Sequence, residues 1–105
     1  MLVRTEELTS DALDWAVARC EGLDLEHGLT DDERYSTNWA QGGPILDREG
    51  VCLLDPASNQ NRNGQWHANC GAWGADGATP LIAAMRCFVA SKLGDEVEVP
   101  EELLA

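Results

Sequence analysis

The segment from Thr79 to Gly94 constrains the fold of this chain more than any other feature of its sequence. Thr79 followed by Pro80 is typical of a helix N-cap and first helical position, and Gly94 is typical of the residue just past a helix end. Between Pro80 and Gly94 only three residues are not apolar, Arg86 among them. A helix that is apolar most of the way round is buried. The segment therefore predicts a helix enclosed by a sheet or by a second subunit.

The length of the chain limits what can enclose that helix. With 105 residues we expect a single domain spanning residues 1–105 and one hydrophobic core. The chain is too short for a multi-domain enzyme or for a dinucleotide-binding fold of two mononucleotide halves. The core must therefore be built from few elements.

Two further helical signals precede this segment. Apolar residues recur at three- and four-residue steps over residues 10–21, where Thr9 offers a capping oxygen and Gly22 suits a left-handed position past the helix end. Pro44 can open a short helical turn that continues to Glu49. We expect the first pattern to form the second main helix of the domain.

Short apolar runs predict the strands. Residues 51–54 predict a buried strand, the polar stretch 59–64 a hairpin connection, and residues 65–73 the partner strand. Val97 and Val99 alternate before Pro100, which predicts an edge strand. The expected fold is α+β, a small antiparallel sheet of two to three strands packed with two main helices in an αβα-sandwich-like arrangement.

The charge balance excludes several classes of partner. Nineteen Asp and Glu residues against seven Lys and Arg give a net charge of −12. This charge disfavours direct binding to nucleic acid or to an anionic membrane surface. Neither an apolar run of about 20 residues nor a signal-peptide core is present, so we expect a soluble cytoplasmic protein.

The cysteines predict core packing rather than a metal site. Cys20, Cys52, Cys70 and Cys87 contain no C-x-x-C pair, and in a cytoplasmic protein such residues stay reduced. His67 and Cys70 could begin a zinc site, but the other ligands would be isolated in sequence. We expect no metal and no cofactor.

Two stretches without Asp or Glu, residues 35–46 and 56–75, indicate where a ligand would bind. Both carry tryptophan, whose flat face suits stacking on a base. Uncharged donors and a Gly-Gly pair accompany it, while arginines and the amino end of the Thr79 helix could hold an anion. The candidate ligand-binding residues are Tyr35, Ser36, Thr37, Trp39, Gln41, Gly42, Gly43, Arg62, Trp66, Thr79 and Arg86.

Purely structural interpretations of the same residues stay open. The tryptophans could fill the core, Thr79 could be a helix cap only, and the run Gly71, Gly74, Gly77 could be either an anion site or a turn. For catalysis, His67 could pair with Ser36 or Cys70 as base and nucleophile. The spacing supports no complete triad, so we expect a protein that is not an enzyme.

Two long blocks, residues 35–45 (Tyr-Ser-Thr-Asn-Trp-Ala-Gln-Gly-Gly-Pro-Ile) and residues 79–100, together with residues 13–18, resemble the bacteriophage NinX-like family. This family is also described as a phage αβα-sandwich domain of small accessory proteins. The resemblance implies a phage-encoded protein in the host bacterial cytoplasm. It also implies an aspartate in relatives where this chain has Asn38.

Two functions are compatible with these features. The first is a non-enzymatic inhibitor of host antiviral defence that binds and sequesters a small anionic, nucleotide-like signalling molecule. It would act as a homo-oligomer, with the Thr79 helix at the interface. The second is an acidic protein-binding inhibitor of the DNA-mimic or anti-CRISPR type that blocks a host defence nuclease complex. This alternative depends on the net charge of −12 and on the acidic segments 23–33 and 95–102.

Overall fold

The computed structural model describes residues 1–23, 33–57 and 64–103. Within these ranges it contains three α-helices and two small antiparallel sheets, which confirms the predicted α+β class. The helices are α1 (Ser10–Cys20), α2 (Trp39–Glu49) and α3 (Pro80–Leu93), and the strands are β1 (Leu2–Arg4), β2 (Cys52–Leu54), β3 (Trp66–Cys70), β4 (Trp73–Gly77) and β5 (Glu96–Glu98). Short 3-10 turns occupy Thr5–Glu7 and Glu101–Leu103.

Helix α3 is the centre of the core, as its composition predicts. It contacts β3 and β4 together with α1 and α2. Its side chains Met85, Phe88 and Val89 are buried in the same core cluster as Leu13 and Val17 of α1. Because this chain's own elements bury most of α3, no second subunit is needed to enclose it. The expected homo-oligomer stays a prediction.

The three-stranded sheet has the order β2-β3-β4 and is antiparallel throughout. Ala68 of β3 lies opposite Leu53 and Ala75, and this row faces the core. The next row places His67 between Leu54 and Asp76 on the other face. The register confirms the predicted pairing of residues 51–54 with a later strand, although β2 is an edge strand rather than a buried one.

The strand predicted over residues 65–73 is wrong in its extent, because the chain reverses inside it. β3 ends at Cys70, Gly71 and Ala72 form a two-residue turn, and Trp73 begins β4. Gly71 has a φ of +61°, the left-handed conformation that glycine adopts without strain. The run of glycines therefore belongs to a turn and a strand, and most of the connection 59–64 lies outside the described residues.

Helix α2 begins five residues earlier than Pro44 predicts. Asn38 caps it, since its Oδ1 accepts the Ala40 N–H at 2.9 Å and its carbonyl accepts the N–H groups of Gln41 and Gly42. Pro44 thus lies inside the helix instead of opening it. Tertiary contact of this first turn with α3, described below, overrides its weak helix propensity.

The predicted strand at Val97 is present as β5, but it joins a separate sheet. It pairs in antiparallel fashion with β1, so that Val3 lies opposite Val97. β1 has no counterpart among the predicted elements. The Thr5 hydroxyl then donates a 2.6 Å hydrogen bond to the Gly94 carbonyl, which fixes the following 3-10 turn beside the end of α3.

Candidate functional site

Two parts of the predicted ligand-binding surface meet in one pocket at the amino end of α3. The pocket has a volume of about 240 Å³. We call it the Trp39 pocket, and it is lined by Ser36, Thr37, Trp39, Thr79, Pro80, Leu81 and Ile82. The segment before α2 forms one wall, and the first turn of α3 forms the other.

The Trp39 side chain is held at the mouth of this pocket by the start of α2. Trp39 is the first residue of the helix that Asn38 caps, and its side chain is 52% exposed. Gly43 lies one turn further along, where an added methyl group would stand 3.7 Å from Trp39 Cε3. The local helix geometry therefore presents a large flat aromatic surface to solvent beside a cavity.

The wall formed by Ser36 and Thr37 is anchored to α1. The buried Asp14 carboxylate accepts the Ser36 N–H through Oδ1 at 2.8 Å. Burial raises the pKa of Asp14, and hydrogen bonding from Ser36 partly opposes this rise. Burial therefore disfavours the charged form of Asp14, while its Oδ1 is the acceptor that positions the pocket wall.

The opposite wall is a capped helix terminus. Thr79 Oγ1 accepts the Ile82 N–H at 3.1 Å, and the Thr79 carbonyl accepts the Ala83 N–H at 3.1 Å. Pro80 has no N–H group. Among the described residues, the Leu81 N–H is therefore the backbone donor of the first turn that has no acceptor. The pocket lies at this terminus, and therefore at the positive end of the helix dipole.

Gly42 is a structural residue that brings the two walls together. An added methyl group would lie 2.7 Å from Leu81 Cδ1 and would also collide with the Tyr35 carbonyl oxygen. Only glycine lets the first turn of α2 approach α3 this closely. The Gly-Gly pair thus shapes the pocket, and Gly42 does not line it.

A second, larger depression lies between the N-terminal segment and the free edge of β4. It consists of two cavities of about 470 and 230 Å³ that share Glu6, Gly74, Ala75 and Arg86. We call the two together the Arg86 cleft. Arg86 Nε donates to the Leu8 carbonyl at 2.8 Å, and Nη1 donates to the Asp76 carbonyl at 2.7 Å.

His67 lies in the same cleft and takes partners other than the predicted ones. Its Nδ1 is 2.7 Å from Asp76 Oδ1, and its Nε2 is 3.0 Å from Asn69 Oδ1. Ser36 is bonded to Asp14, and the Cys70 thiol donates to the Glu49 carbonyl at 3.9 Å. The base–nucleophile pairs considered for His67 are therefore not formed.

The predicted site residues thus separate into several groups. Ser36, Thr37, Trp39 and Thr79 share the Trp39 pocket, whereas Arg86 lines the other cleft. Arg62 lies outside the described residues. The remaining predicted residues have mainly structural surroundings: Tyr35 is buried, Gln41 Oε1 accepts the Arg34 N–H, Gly42 and Gly43 lie within α2, and Trp66 packs half-buried against the core.

Sequence reasoning missed the apolar wall formed by Pro80, Leu81 and Ile82. Their assignment to a buried helix hid the fact that the first turn of such a helix reaches the surface. Within residues 1–23, 33–57 and 64–103, no group of three or more His, Cys, Asp or Glu could hold a metal ion. No helix in those ranges is long and apolar enough to cross a membrane.

The described part of the chain is thus a small α+β domain with a mostly apolar pocket and a separate polar cleft. The family model described as Bacteriophage P22, NinX matches residues 4–92, so the chain belongs to this family and is a phage accessory protein. The match includes α1, α2 and α3 up to Lys92, together with the residues that line the Trp39 pocket and the Arg86 cleft except Asp95. No curated protein matches the chain.

Proposed function

We propose that this protein inhibits host antiviral defence by binding and sequestering a nucleotide-like signalling molecule, without chemical turnover. The base of the ligand stacks on Trp39, and the sugar enters the pocket at the amino end of α3. The protein acts in the cytoplasm of the infected bacterium, where such a signal would be produced.

The observation that carries the proposal is the exposed indole of Trp39 beside a cavity. An aromatic side chain that is 52% exposed leaves apolar surface in water, and this surface becomes available to a stacked ring. Stacking of a base on an aromatic side chain contributes roughly 1–3 kcal/mol. Pro80 and Leu81 add apolar contact on the facing wall.

The electrostatics of the pocket make it a more favourable place for a nucleotide than the rest of the protein surface. The protein carries a net charge of −12, which repels anions. None of the residues that line the Trp39 pocket is ionisable, and Thr37 and Thr79 supply hydroxyl groups. The Leu81 N–H and the dipole of the 14-residue α3 attract negative charge to this end of the pocket.

The same geometry limits how much of the ligand is enclosed. Small-molecule sites have volumes of roughly 300–1,000 Å³, whereas the Trp39 pocket measures about 240 Å³. No described lysine or arginine lines it, so the amino end of α3 is the source of positive potential for the phosphates of the ligand, which are otherwise exposed to solvent. A second copy of the chain, bound over Trp39, would enclose the exposed part of the ligand in a homo-oligomer.

The first experiment is native mass spectrometry of the protein purified from phage-infected bacteria, compared with its mass under denaturing conditions. A stoichiometric retained mass in the nucleotide range is expected, together with the mass of a dimer or higher oligomer. If the protein purified from infected cells with an active defence system carries no bound small molecule, sequestration is contradicted.

The second experiment compares two exposed tryptophans by isothermal titration calorimetry with a panel of linear and cyclic dinucleotides. Trp39→Ala is expected to weaken binding by roughly 5- to 150-fold, the equivalent of one stacked base. Trp73→Ala is the matched control, since Trp73 is 38% exposed but lines the other cleft. Equal losses in the two variants would exclude the Trp39 pocket as the site.

A second function, an acidic protein-binding inhibitor that blocks a host defence nuclease complex, is favoured by a different observation. The side chains of Asp95, Glu96, Glu98, Glu101 and Glu102 are all exposed along the strand and turn that follow α3. Such a row of carboxylates complements a basic nucleic-acid groove. The other acidic segment considered for this role, residues 23–33, lies largely outside the described residues.

The two functions respond differently to charge and to salt. Reversal of Glu96, Glu101 and Glu102 to lysine should abolish protection of the phage if the target is a basic protein, and about 0.5 M salt should weaken that complex because it shortens the Debye length. Trp39→Ala should leave such a complex intact. Protection that survives the charge reversal and fails with Trp39→Ala supports ligand sequestration.

A further inference from the structure

The Arg86 cleft contains a cation whose surroundings differ from those of the other described cations. Arg86 is the one charged residue in the first three turns of the otherwise apolar α3. Its guanidinium group is fixed at two points, at 2.8 Å from the Leu8 carbonyl and 2.7 Å from the Asp76 carbonyl. Both acceptors are neutral, so they orient the group without cancelling its charge.

Two neighbouring carboxylates have contacts of their own. Glu6 Oε1 forms an ion pair with Arg4 Nη2 at 2.7 Å, and Asp76 Oδ1 lies 2.7 Å from His67 Nδ1. Within residues 1–23, 33–57 and 64–103, Arg86 itself forms no ion pair. The cleft therefore holds a rigidly placed positive charge that forms no ion pair with a described residue, although the charges of Asp76 and Glu6 act on it.

Burial makes this charge costly. Desolvation lowers the pKa of Arg86, and the more distant charges of Asp76 and Glu6 only partly oppose that effect. A guanidinium has five N–H donors, of which the two carbonyls use two. An anion that reached the remaining donors would restore the missing charge pairing and would form the strongest type of hydrogen bond.

We propose that the Arg86 cleft is a second binding site, separate from the Trp39 pocket, for the phosphate or carboxylate group of a small organic anion. The two cavities of the cleft share Arg86 and lie at the edge of β4, with volumes of about 470 and 230 Å³. These volumes accommodate an organic group attached to the anion. No residue lines both the cleft and the Trp39 pocket, so the site does not depend on the function proposed above.

A purely structural role for Arg86 predicts different behaviour. As a tether, Arg86 would only hold Leu8 of the N-terminal segment against the edge of β4. The protein would then show no saturable response to small anions. The test must therefore observe the cleft itself rather than the stability of the fold.

The experiment is an NMR titration of the isotope-labelled full chain at constant ionic strength. The probes are phenyl phosphate in one series and benzoate in the other, with sodium chloride as the reference salt. We expect saturable shifts at Arg86 Nε–H and at the amides of Gly74 and Ala75, with one probe or with both. The two series distinguish a phosphate site from a carboxylate site.

Variants decide whether the shifts report a bound anion. Arg86→Met should abolish them, while Arg86→Lys keeps the charge and should retain weakened binding. Glu7→Gln removes a carboxylate that lines the cleft, so it should tighten binding by about twofold. Glu102→Gln is the charge-matched control, because Glu102 lines neither cavity of the cleft and should not change the affinity.

The possible outcomes are distinct. Shifts that saturate, disappear in Arg86→Met and strengthen in Glu7→Gln support the site. If Arg86→Met does not fold, the anion affinities of Glu7→Gln and Glu102→Gln are sufficient to decide whether the cleft binds an anion. The absence of saturable shifts with both probes in the folded protein, or equal effects of the two Gln variants, overturns it. Trp39→Ala should leave the titration unchanged, so that failure of sequestration and failure of this site are separable.

Discussion

Asp14 Oδ1 accepts the backbone N–H of Ser36 at 2.8 Å, a hydrogen bond that joins the middle of α1 to the wall of the Trp39 pocket. Both residues are buried, and one wall of the pocket depends on the position of Ser36. The carboxyl group is therefore a structural link between the core and the candidate site. Its protonation state makes the stability of the fold depend on pH.

Replacement of Asp14 by asparagine should stabilise the protein at neutral pH. Burial raises the folded-state pKa of Asp14, so the contribution of this group to stability is fully present below its unfolded pKa and is lost as the pH rises through the folded pKa. Asparagine keeps the acceptor oxygen without the charge. The melting temperature of Asp14→Asn should exceed that of the wild type at about pH 8, and the difference should disappear near pH 3.

Two comparisons complete this test. Asp14→Ala leaves the buried Ser36 N–H without an acceptor and should cost about 1–3 kcal/mol of unfolding free energy. Asp11→Asn, at an exposed position on the same helix, should change little at either pH. A wild-type protein that became more stable relative to Asp14→Asn as the pH rises would contradict the raised pKa.

Gly77→Ala should destabilise the fold because β4 approaches α3 too closely for a side chain. An added methyl group would lie 2.5 Å from the Ala83 nitrogen and 2.8 Å from Ile82 Cγ2. We expect a loss of about 1–3 kcal/mol in urea unfolding. Gly43→Ala is the control, because its methyl group would stand at an ordinary 3.7 Å from Trp39 Cε3. This substitution should raise the free energy of unfolding by about 0.5–1 kcal/mol.

Asn38→Ala should remove the cap of α2 and lower stability by about 1 kcal/mol. The Asn38 side chain accepts the Ala40 N–H at 2.9 Å, and this bond spans Trp39, the residue that carries the pocket indole. Asn38→Asp keeps the acceptor and adds a negative charge at a helix amino end, so it should be at least as stable as the wild type. Thermal unfolding by circular dichroism measures both, and equal melting temperatures for the Ala and Asp variants would exclude a capping role.

The thiols should react with a disulfide reagent in two well-separated phases. Cys52 is exposed, whereas Cys70 and Cys87 are buried. Burial raises the pKa of Cys87 to about 12 and that of half-buried Cys20 to about 11, which removes the reactive thiolate near pH 8. One thiol should react rapidly in the folded protein, and Cys52→Ser should eliminate that phase. A fast phase that persists in this variant would assign it to another cysteine.

Local signals in the sequence were sufficient for the helix at the centre of the fold. Thr79, Pro80 and Gly94 act within a few residues of the helix ends, and they agree with the observed bounds of α3. The pairing of Val97 in a strand and the left-handed Gly22 (φ +77°) were predicted for the same reason. Such signals are residue types that favour a particular backbone conformation at their own positions, so they can be identified in the sequence without knowledge of the fold.

Elements that depend on distant contacts were not predictable in this way. Gly42 and Gly43 are poor helix formers, and α2 includes them because Gly42 fits against Tyr35 and Leu81. β4 was missed because Gly71 reverses a segment whose alternation continues past Cys70. In both cases the tertiary structure selects one conformation among several that local propensity allows.

The features of the candidate site also separate into those that local sequence predicts and those that depend on tertiary contacts. The presence of a tryptophan without an acidic neighbour in residues 35–46, and of a helix start at Thr79, follows from the sequence alone. That Trp39 and Thr79 share a pocket follows from the fold, because their proximity results from the close approach of α2 to α3 at Gly42. Arg86 lies in a different cleft for a similar reason, since the carbonyl groups of Leu8, 78 residues away in the chain, and of Asp76, 10 residues away, hold its guanidinium there.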